Sequence, residues 1–295
     1  MPIDLHIHTN FSDGTDSPKE IVEKAEIIGL ETIAITDHET IEGFSSLKTS
    51  NIDIICGVEV SASWQELKVN NQESGIHILF YFVEAKTELN KLLKKIRRQK
   101  HIRNLEIIDK LKSLNIDIDI SDIEKNKNQV LGRPHLAELM MKKGYVETIN
   151  EAFNNFLGNG KPAYVDLYQV TVDKLLKVAR DSKAVPVLAH PHTLNPTKNM
   201  LTNRKWINKE LATKIYELKK MGLQGIETYY SSYDLPTRKM LAQIAEEANL
   251  LQTGGSDYHG DIKPGLNLGT GWENKPLNVP NEMGIRLKEK YESIK

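Results

Sequence analysis

Histidine and carboxylate side chains recur beside the predicted strands of this chain of 295 residues, mostly where a strand ends. Imidazole and carboxylate groups that gather around one point are typical ligands of Zn, Mn or Fe ions. Each of these residues alone is equally compatible with a hydrogen-bonded core side chain, but six successive strand-associated sites indicate a divalent-metal site. The histidines are His6, His8, His38, His77, His190 and His259, and the carboxylates are Asp4, Asp13, Asp37, Glu59 and Asp257.

The first of these sites has the spacing needed to bind one ion. His6 and His8 stand two positions apart in a strand in which apolar and polar residues alternate, so both side chains point to one face. Asp13 lies on the following loop, where Gly14 permits a turn. A His-x-His pair by itself is a weak signal, and two strand histidines bonded to their neighbours would give the same pattern.

The elements that must position these residues alternate between strands and helices, which favours a parallel sheet or a (β/α) barrel. A Ser17–Glu20 capping box with Pro18 predicts a helix that ends at Gly29. Residues 88 to about 160 show helical patterns with almost no strand signal. We therefore expect a first barrel part over 1–87, a helical insertion over 88–164 and a second barrel part over 165–295. Strands are predicted at 3–7, 32–36, 52–60, 76–83, 185–189, 225–228 and 251–253.

The composition excludes several classes of protein. Lys and Arg number 39 and Asp and Glu 40, a net charge of −1 that argues against a dedicated binder of duplex DNA. No apolar run is long enough to span a bilayer, and no signal-peptide pattern begins the chain. The single cysteine, Cys56, fits a small core residue in a reducing cytoplasm. Serine-hydrolase and P-loop motifs are absent from the sequence.

Taken together, these motifs resemble the PHP (polymerase and histidinol phosphatase) family of metal-dependent phosphoesterases. The resemblance rests on Asp4–Thr9 with Ser12–Gly14, on Ile35–His38, on Gly57–Glu59, on His77, on His190–Pro191 and on Gly255–His259. It implies an α/β fold, a distorted (β/α)7 TIM-like barrel, here with a helical insertion. It also implies two to three divalent metal ions, with manganese as the first expectation and iron or zinc as alternatives.

The resemblance further implies how the ligands divide. One ion would be held by His6, His8, Glu59 and Asp257; Glu59 would bridge to a second ion completed by His77 and His190; Asp13, His38 and His259 would hold a third. Asp4 and Asp37 are interpreted as residues that orient the ligand histidines. His192 is a candidate general acid for the leaving group, or else a loop histidine. Asp37 and His192 are thus the predicted catalytic residues outside the ligand set.

Residues 132–137 and 156–165 resemble the subgroup that hydrolyses small nucleotides. Its members remove the 3'-phosphate of nucleoside 3',5'-bisphosphates, and some shorten 5'-phosphorylated RNA in the 5'-to-3' direction. A small nucleotide or short single-stranded RNA is therefore the expected substrate. A histidinol-phosphatase-like enzyme and a non-catalytic PHP binding module remain the alternatives; a complete ligand set argues against the second. The oligomeric state is not predicted.

Basic residues of the insertion are candidates for binding phosphate. Arg133 and His135 lie at the start of a predicted helix, where capping is the alternative role. Residues 91–103 carry seven basic and no acidic side chains, which indicates either a polyanion site or a solvated helix face. From this run we select Arg98 and Arg103 as substrate-binding candidates. Lys263, after the last ligand motif, is a further one.

Overall fold

A curved sheet forms the centre of the computed structural model, which describes residues 2–47, 50–69, 72–122, 130–166, 168–194 and 204–295. Its strands are β1 (Ile3–Ile7), β2 (Thr32–Ile35), β3 (Asp53–Val69), β4 (Gln72–Tyr81), β5 (Val170–Thr171), β6 (Val185–Leu188), β7 (Gly225–Tyr230) and β8 (Leu251–Gly255). Seven of them follow one another in the order β1-β2-β3-β4-β6-β7-β8, and β5 pairs with β3 outside this path. The strands predicted from the sequence all occur, and the expected barrel is confirmed.

The barrel is nearly closed by contacts between β1 and the end of β8. The amide of Asp257 donates to the carbonyl of His6 over 2.9 Å, and the amide of His8 donates to the carbonyl of Tyr258 over the same distance. Gly255 lies against β1 so closely that a Cβ atom there would overlap the backbone nitrogen of His6. Closure therefore brings the two ends of the ligand set together.

Substitution of Gly255 by alanine is expected to lower the free energy of unfolding by about 2–3 kcal/mol, because the new methyl group meets backbone that cannot move away. Urea unfolding measures the change. Gly75→Ala in β4 is the matched control, since its added Cβ would make only ordinary contacts, and it should change stability by less than about 0.5 kcal/mol. Equal effects at the two positions would contradict the close approach at Gly255.

The direction of β4 differs from the expected parallel arrangement. β4 is antiparallel to both β3 and β6, whereas β1, β2 and β3 are mutually parallel, as are β6, β7 and β8. The expectation that His77 opens its strand is wrong, because β4 begins at Gln72. His77 pairs with Ser61, two residues beyond Glu59 in β3. A residue from the middle of an antiparallel strand thus reaches the same mouth as residues at the ends of parallel strands.

Nine α-helices are present in the described residues. The predicted capping box at Ser17 and Glu20 starts α1, and Gly29 ends it with φ of 75°. The helices are α1 (Pro18–Ile28), α2 (Glu42–Ser45), α3 (Glu88–Ser113), α4 (Arg133–Lys142), α5 (Ile149–Ala152), α6 (Val172–Asp181), α7 (Lys209–Met221), α8 (Leu235–Glu247) and α9 (Asn281–Ile294). A π-helical turn at Phe153–Leu157 continues α5.

Helix α3 is the first helix of the predicted insertion and packs against the barrel as well. Leu89, Leu93 and Ile96 near its start belong to the barrel core. Ile107 and Leu111 near its end belong to a separate apolar cluster with residues of α4 and α5. Two cores along one helix are consistent with the expected insertion, whose limits at 88 and 164 stay a prediction.

Candidate metal centre

Nine side chains from all around the barrel converge at one mouth. His6 lies in β1 and His8 follows it, Glu59 lies in β3 and His77 in β4. The remaining ligands implied by the resemblance, Asp13, His38, His190, Asp257 and His259, lie on loops that follow strands or continue them. These residues form three groups, and within each group the donor atoms all lie within 4.8 Å of one another. The grouping matches the one that the family resemblance implies, with His8 facing two of the groups.

The first group consists of His6, His8, Glu59 and Asp257, all buried. The Nε2 atom of His8 lies 3.1 Å from Glu59 Oε2 and 3.3 Å from Asp257 Oδ1. The Nε2 atom of His6 lies 3.3 Å and 3.5 Å from the same two oxygens. Ligands at about 2.1 Å from an ion in tetrahedral geometry are roughly 3.4 Å apart, so these spacings fit a single small divalent cation.

The second group uses the other oxygen of Glu59. Its Oε1 lies 2.9 Å from His77 Nδ1 and 2.9 Å from His190 Nε2. Glu59 therefore presents one oxygen to each of two groups, the geometry of a bridging carboxylate. This observation fits the bridging role that the resemblance implies.

The third group surrounds Asp13. Its Oδ1 lies 3.4 Å from His259 Nε2 and 3.6 Å from His8 Nδ1, and its Oδ2 lies 3.5 Å from His38 Nε2. Within the described residues, Asp13 Oδ1 and His38 Nδ1 are buried and have no hydrogen-bond partner. Buried polar atoms without partners are costly unless something binds them. This arrangement of imidazole and carboxylate donors fits divalent cations of the Mn, Fe or Zn type.

The charges of the centre are strongly coupled. Burial would raise the pKa of Glu59, but the positive charges of His77, His6 and His38 outweigh burial and hold the pKa well below its usual range. Burial would lower the pKa of His8, yet hydrogen bonds to Asp257 and Glu59 raise it to about 9. A metal ion competes with those protons for the same nitrogen atoms, so metal binding and pH are linked.

Asp4 and Asp37 do not contact the histidine rings as expected. Both oxygens of Asp37 are used by Thr9 and by the Ser12 hydroxyl, at 2.7 Å each. Asp4 accepts hydrogen bonds from the amide and hydroxyl of Ser256 and from the amide of Gly269. The interpretation that they set histidine tautomers directly is therefore corrected. Both carboxylates hold the backbone that carries the ligand candidates. Asp37 is fully buried, so the structure does not place it where a substrate could contact it.

His192 lies beside the second group and is held by Tyr233. Its amide donates to the Tyr233 hydroxyl over 3.2 Å, and that oxygen lies 2.7 Å from His192 Nδ1. Burial, and then the charge of His190, lower the pKa of His192 to about 4. The ring is therefore neutral at pH 7, and the Tyr233 hydroxyl holds it in place. Its role as a general acid stays a prediction.

A cavity of about 290 Å³ opens between the metal groups and the helices of the predicted insertion. Its lining includes Asp13, His38, His77, Lys100, Arg103, Arg133 and His135. Arg103 is 6% exposed and its Nε has no partner among the described residues. Burial, followed by the charge of Arg133, lowers the pKa of Arg103 to about 10. Neither guanidinium group has a carboxylate partner in the part of the chain that the structure describes, so this wall of the cavity is suited to an anion.

Arg133 and His135 also have structural contacts. The guanidinium of Arg133 lies over the rings of Phe153 and Tyr164, at 5.7 and 5.6 Å, and donates to the carbonyl of Leu157. His135 Nδ1 accepts the amide of Gly132 at the start of α4. His135 therefore caps the start of α4 and also lines the cavity.

Two other phosphate candidates lie elsewhere. Arg98 is exposed on α3 and does not line the cavity. The ammonium group of Lys263 donates to Asp257 Oδ2 over 2.5 Å, and Tyr230 donates to the same oxygen over 2.9 Å. In the structure, Lys263 therefore neutralises a metal-ligand candidate and is not directed to the cavity.

Sequence reasoning missed two buried charged features. Glu227 in β7 is fully buried and contacts both His6 and His190. Glu39, also fully buried, pairs with Lys100 of α3 over 2.5 Å. A carboxylate within the apolar strand 225–230 is the signal that would have indicated Glu227. For Lys100, the signal is its position on the buried stripe of α3.

A PHP domain family model matches residues 4–178, more than half of the chain. The barrel, the converging histidines and carboxylates, and this match define one class of protein. The chain belongs to the PHP family of metal-dependent phosphoesterases, as the sequence motifs predict. No helix among the described residues has the length and apolarity to cross a membrane.

Three relatives align with most of the chain. A 5'-3' exoribonuclease from Haemophilus influenzae is 30% identical, covering 90% of this chain and 93% of that protein. A phosphoribosyl 1,2-cyclic phosphate 1,2-diphosphodiesterase from Eggerthella lenta is 26% identical, covering 87% and 94%. A 3',5'-nucleoside bisphosphate phosphatase from Chromobacterium violaceum is 25% identical, covering 94% of each chain.

The fold is also shared with a solved structure. The crystal structure of a putative metal-dependent phosphoesterase from Bifidobacterium adolescentis superposes with a TM-score of 0.77 at 24% identity, covering 98% of both chains. This likeness extends over the helical block as well as the barrel.

Proposed function

We propose that this enzyme removes the 3'-phosphate of nucleoside 3',5'-bisphosphates and shortens 5'-phosphorylated RNA from its 5' end. Both substrates carry a second phosphate at a short distance from the phosphoester that is hydrolysed. The exoribonuclease and bisphosphate phosphatase relatives support this choice of substrate class. They do so at 25–30% identity, so the assignment depends on the site itself.

The observation that carries the proposal is the cavity shared by metal-ligand candidates and arginines. His38 and His77 form one side, and Arg103 and Arg133 form another. A phosphate at the arginines would place an attached nucleoside within reach of the metal groups. Buried arginine without a carboxylate partner is costly unless an anion binds it.

One end of this cavity would hold the metal ions and the other would bind a phosphate of the substrate. The nine ligand candidates, which are histidine and carboxylate side chains, would hold two to three divalent cations, for which manganese is our first choice. When bound, such ions neutralise phosphoryl oxygens and lower the pKa of water. Arg103 and Arg133 would bind the phosphate that does not react and so fix the orientation of the substrate. His192, held by Tyr233, would interact with the leaving group.

Two readouts test the proposal with manganese-loaded protein: release of inorganic phosphate from the nucleotides, and chromatographic detection of the mononucleotides released from RNA. Adenosine 3',5'-bisphosphate is expected to exceed AMP in kcat/KM by at least about 10-fold, because AMP leaves the arginine subsite or the reaction site empty. An RNA pentamer with a 5'-phosphate should likewise exceed the same pentamer with a 5'-hydroxyl. This pair is the matched control for the subsite.

Other outcomes select other functions. Turnover confined to histidinol phosphate or AMP would favour a phosphomonoesterase that does not read a second phosphate. Turnover confined to phosphoribosyl 1,2-cyclic phosphate would favour the activity named for the Eggerthella relative. No turnover with manganese, iron or zinc would favour a binding module.

A further inference from the structure

Glu227 is a fully buried carboxylate in β7 that the proposed reaction does not use. Its neighbours in the strand, Gly225 and Ile226, are buried as well, so water cannot solvate its charge. Such a group is retained at a cost unless each oxygen has a partner. Both of its oxygens do, and both partners are residues of the metal centre.

The two contacts reach different metal groups. Glu227 Oε1 lies 3.0 Å from the Nδ1 atom of His6, whose Nε2 faces Glu59 and Asp257 in the first group. Glu227 Oε2 accepts the backbone amide of His190 over 2.7 Å. The Nε2 atom of His190 belongs to the second group through Glu59 Oε1.

The contact with His6 fixes the tautomer of that ring. A carboxylate accepts hydrogen bonds only, so Nδ1 carries the proton and Nε2 keeps the lone pair that a metal needs. The contact with His190 fixes a backbone conformation. His190 has φ of 29°, a value rarely adopted by a residue with a side chain, and such a conformation persists only where the surroundings hold it.

We propose that Glu227 is a positioning residue that couples the two metal groups, holding the His6 ring with one oxygen and the His190 backbone with the other. Glu59 presents one oxygen directly to each group. Glu227 would connect the groups indirectly, through Nδ1 of His6 and the backbone amide of His190. An ion held at His6 Nε2 would polarise the ring and strengthen its Nδ1 bond to Glu227. That bond would fix the carboxylate, and with it the amide of His190, so the second group would be prearranged for its ion.

Glu227→Gln tests this coupling because an amide cannot satisfy both contacts. If its NH2 group faces His190, two donors oppose each other and the strained backbone loses its support. If the NH2 group faces His6, it can bond only to an unprotonated Nδ1, which moves the ring proton to Nε2 and blocks that ligand. Thr228→Val is the matched control: it alters the next buried polar residue of β7, whose hydroxyl contacts β8 and, among the described residues, no histidine.

The readout is metal binding itself. Calorimetric titration of the metal-free protein with manganese gives stoichiometry and affinity, and electron paramagnetic resonance distinguishes carboxylate-bridged Mn pairs from isolated ions. We expect Glu227→Gln to weaken at least one ion by about 10- to 100-fold and to lose the coupled spectrum. Thr228→Val should keep both. Circular dichroism of the metal-free variants establishes that they fold.

Unchanged stoichiometry, affinity and coupled spectrum in Glu227→Gln would overturn the proposal. If that variant does not fold, Glu227→Asp replaces it: the charge is kept but the carboxylate retracts, so weaker binding is again expected and unchanged binding overturns the coupling. The proposal rests on the metal ligands of the proposed function but not on its substrate. Failure of the wild-type protein to bind manganese, iron or zinc would instead contradict the metal centre as a whole, a result distinguishable from the other.

Discussion

Replacement of Glu59 by glutamine is expected to reduce kcat/KM for the best substrate by on the order of 10³-fold or more, because the metal ions each supply several kcal/mol of transition-state stabilisation. Glu59 contributes Oε2 to the first group and Oε1 to the second. An amide offers one oxygen only, so at least one group loses a ligand. The bound metal should fall by at least one ion per chain, measured by elemental analysis of desalted protein alongside the kinetics.

Two results would speak against this role of Glu59. Full metal content with full activity in Glu59→Gln would show that the bridging geometry has no function. An equal loss in Glu246→Gln would point to a general effect of removing a carboxylate, since Glu246 is exposed on α8 and takes no part in the metal groups. We expect Glu246→Gln to match the wild-type protein in both measurements.

The barrel and the convergence of these histidines and carboxylates could be anticipated because their signals are local. His6 and His8 alternate with apolar residues in and just after β1, and His190 and Asp257 each stand two residues beyond the end of a strand. Residue type restricts the chemistry further, since imidazole beside carboxylate suits few ligands other than metal ions. The direction of β4 has no such signal. An antiparallel strand buried on both sides has the same apolar pattern as a parallel one. Because the pattern predicts this strand over 76–83, it places His77 at the beginning, whereas the strand starts at Gln72.

The role of Glu227 could not be predicted for a related reason. Its two contacts join residues 221 and 37 positions away, and only the closed barrel brings them within reach. The same limitation applies to Asp37, whose position beside a ligand in the sequence indicated a contact with a ring. Its two oxygens instead accept hydrogen bonds from Thr9 and Ser12, which lie in the loop after β1.

The helical periodicity of α3 distinguishes the basic residues that face the protein from those that face solvent. The buried stripe of this helix includes Leu93, Ile96, Arg103 and Ile107. Arg103 continues the spacing of three or four residues, whereas Arg98 falls outside it and is exposed. Arg98 and Arg103, selected together from composition, therefore lie on different faces of one helix, and only Arg103 lines the cavity.

This difference gives the second large prediction. Arg103→Ala and Arg133→Ala should each lower kcat/KM for adenosine 3',5'-bisphosphate by about 10- to 100-fold, since each removes a charged hydrogen-bond donor worth about 1.5–3 kcal/mol from the non-reacting phosphate. Activity toward a substrate with one phosphate should change much less. Arg98→Ala, an equal change of charge on the same helix, should leave both activities unaltered.

The comparison between substrates separates binding from folding. A variant that only destabilised the enzyme would lose activity toward both classes of substrate in proportion, whereas loss of the subsite removes the advantage of the second phosphate. Arg103→Lys extends the test: lysine keeps the charge but not the planar fork that grips a phosphate with two hydrogen bonds. Partial recovery would identify charge as the main contribution, and none would identify geometry. Equal effects of Arg98→Ala and Arg103→Ala would mean that the run acts as a diffuse basic surface, and the cavity would lose its place in substrate recognition.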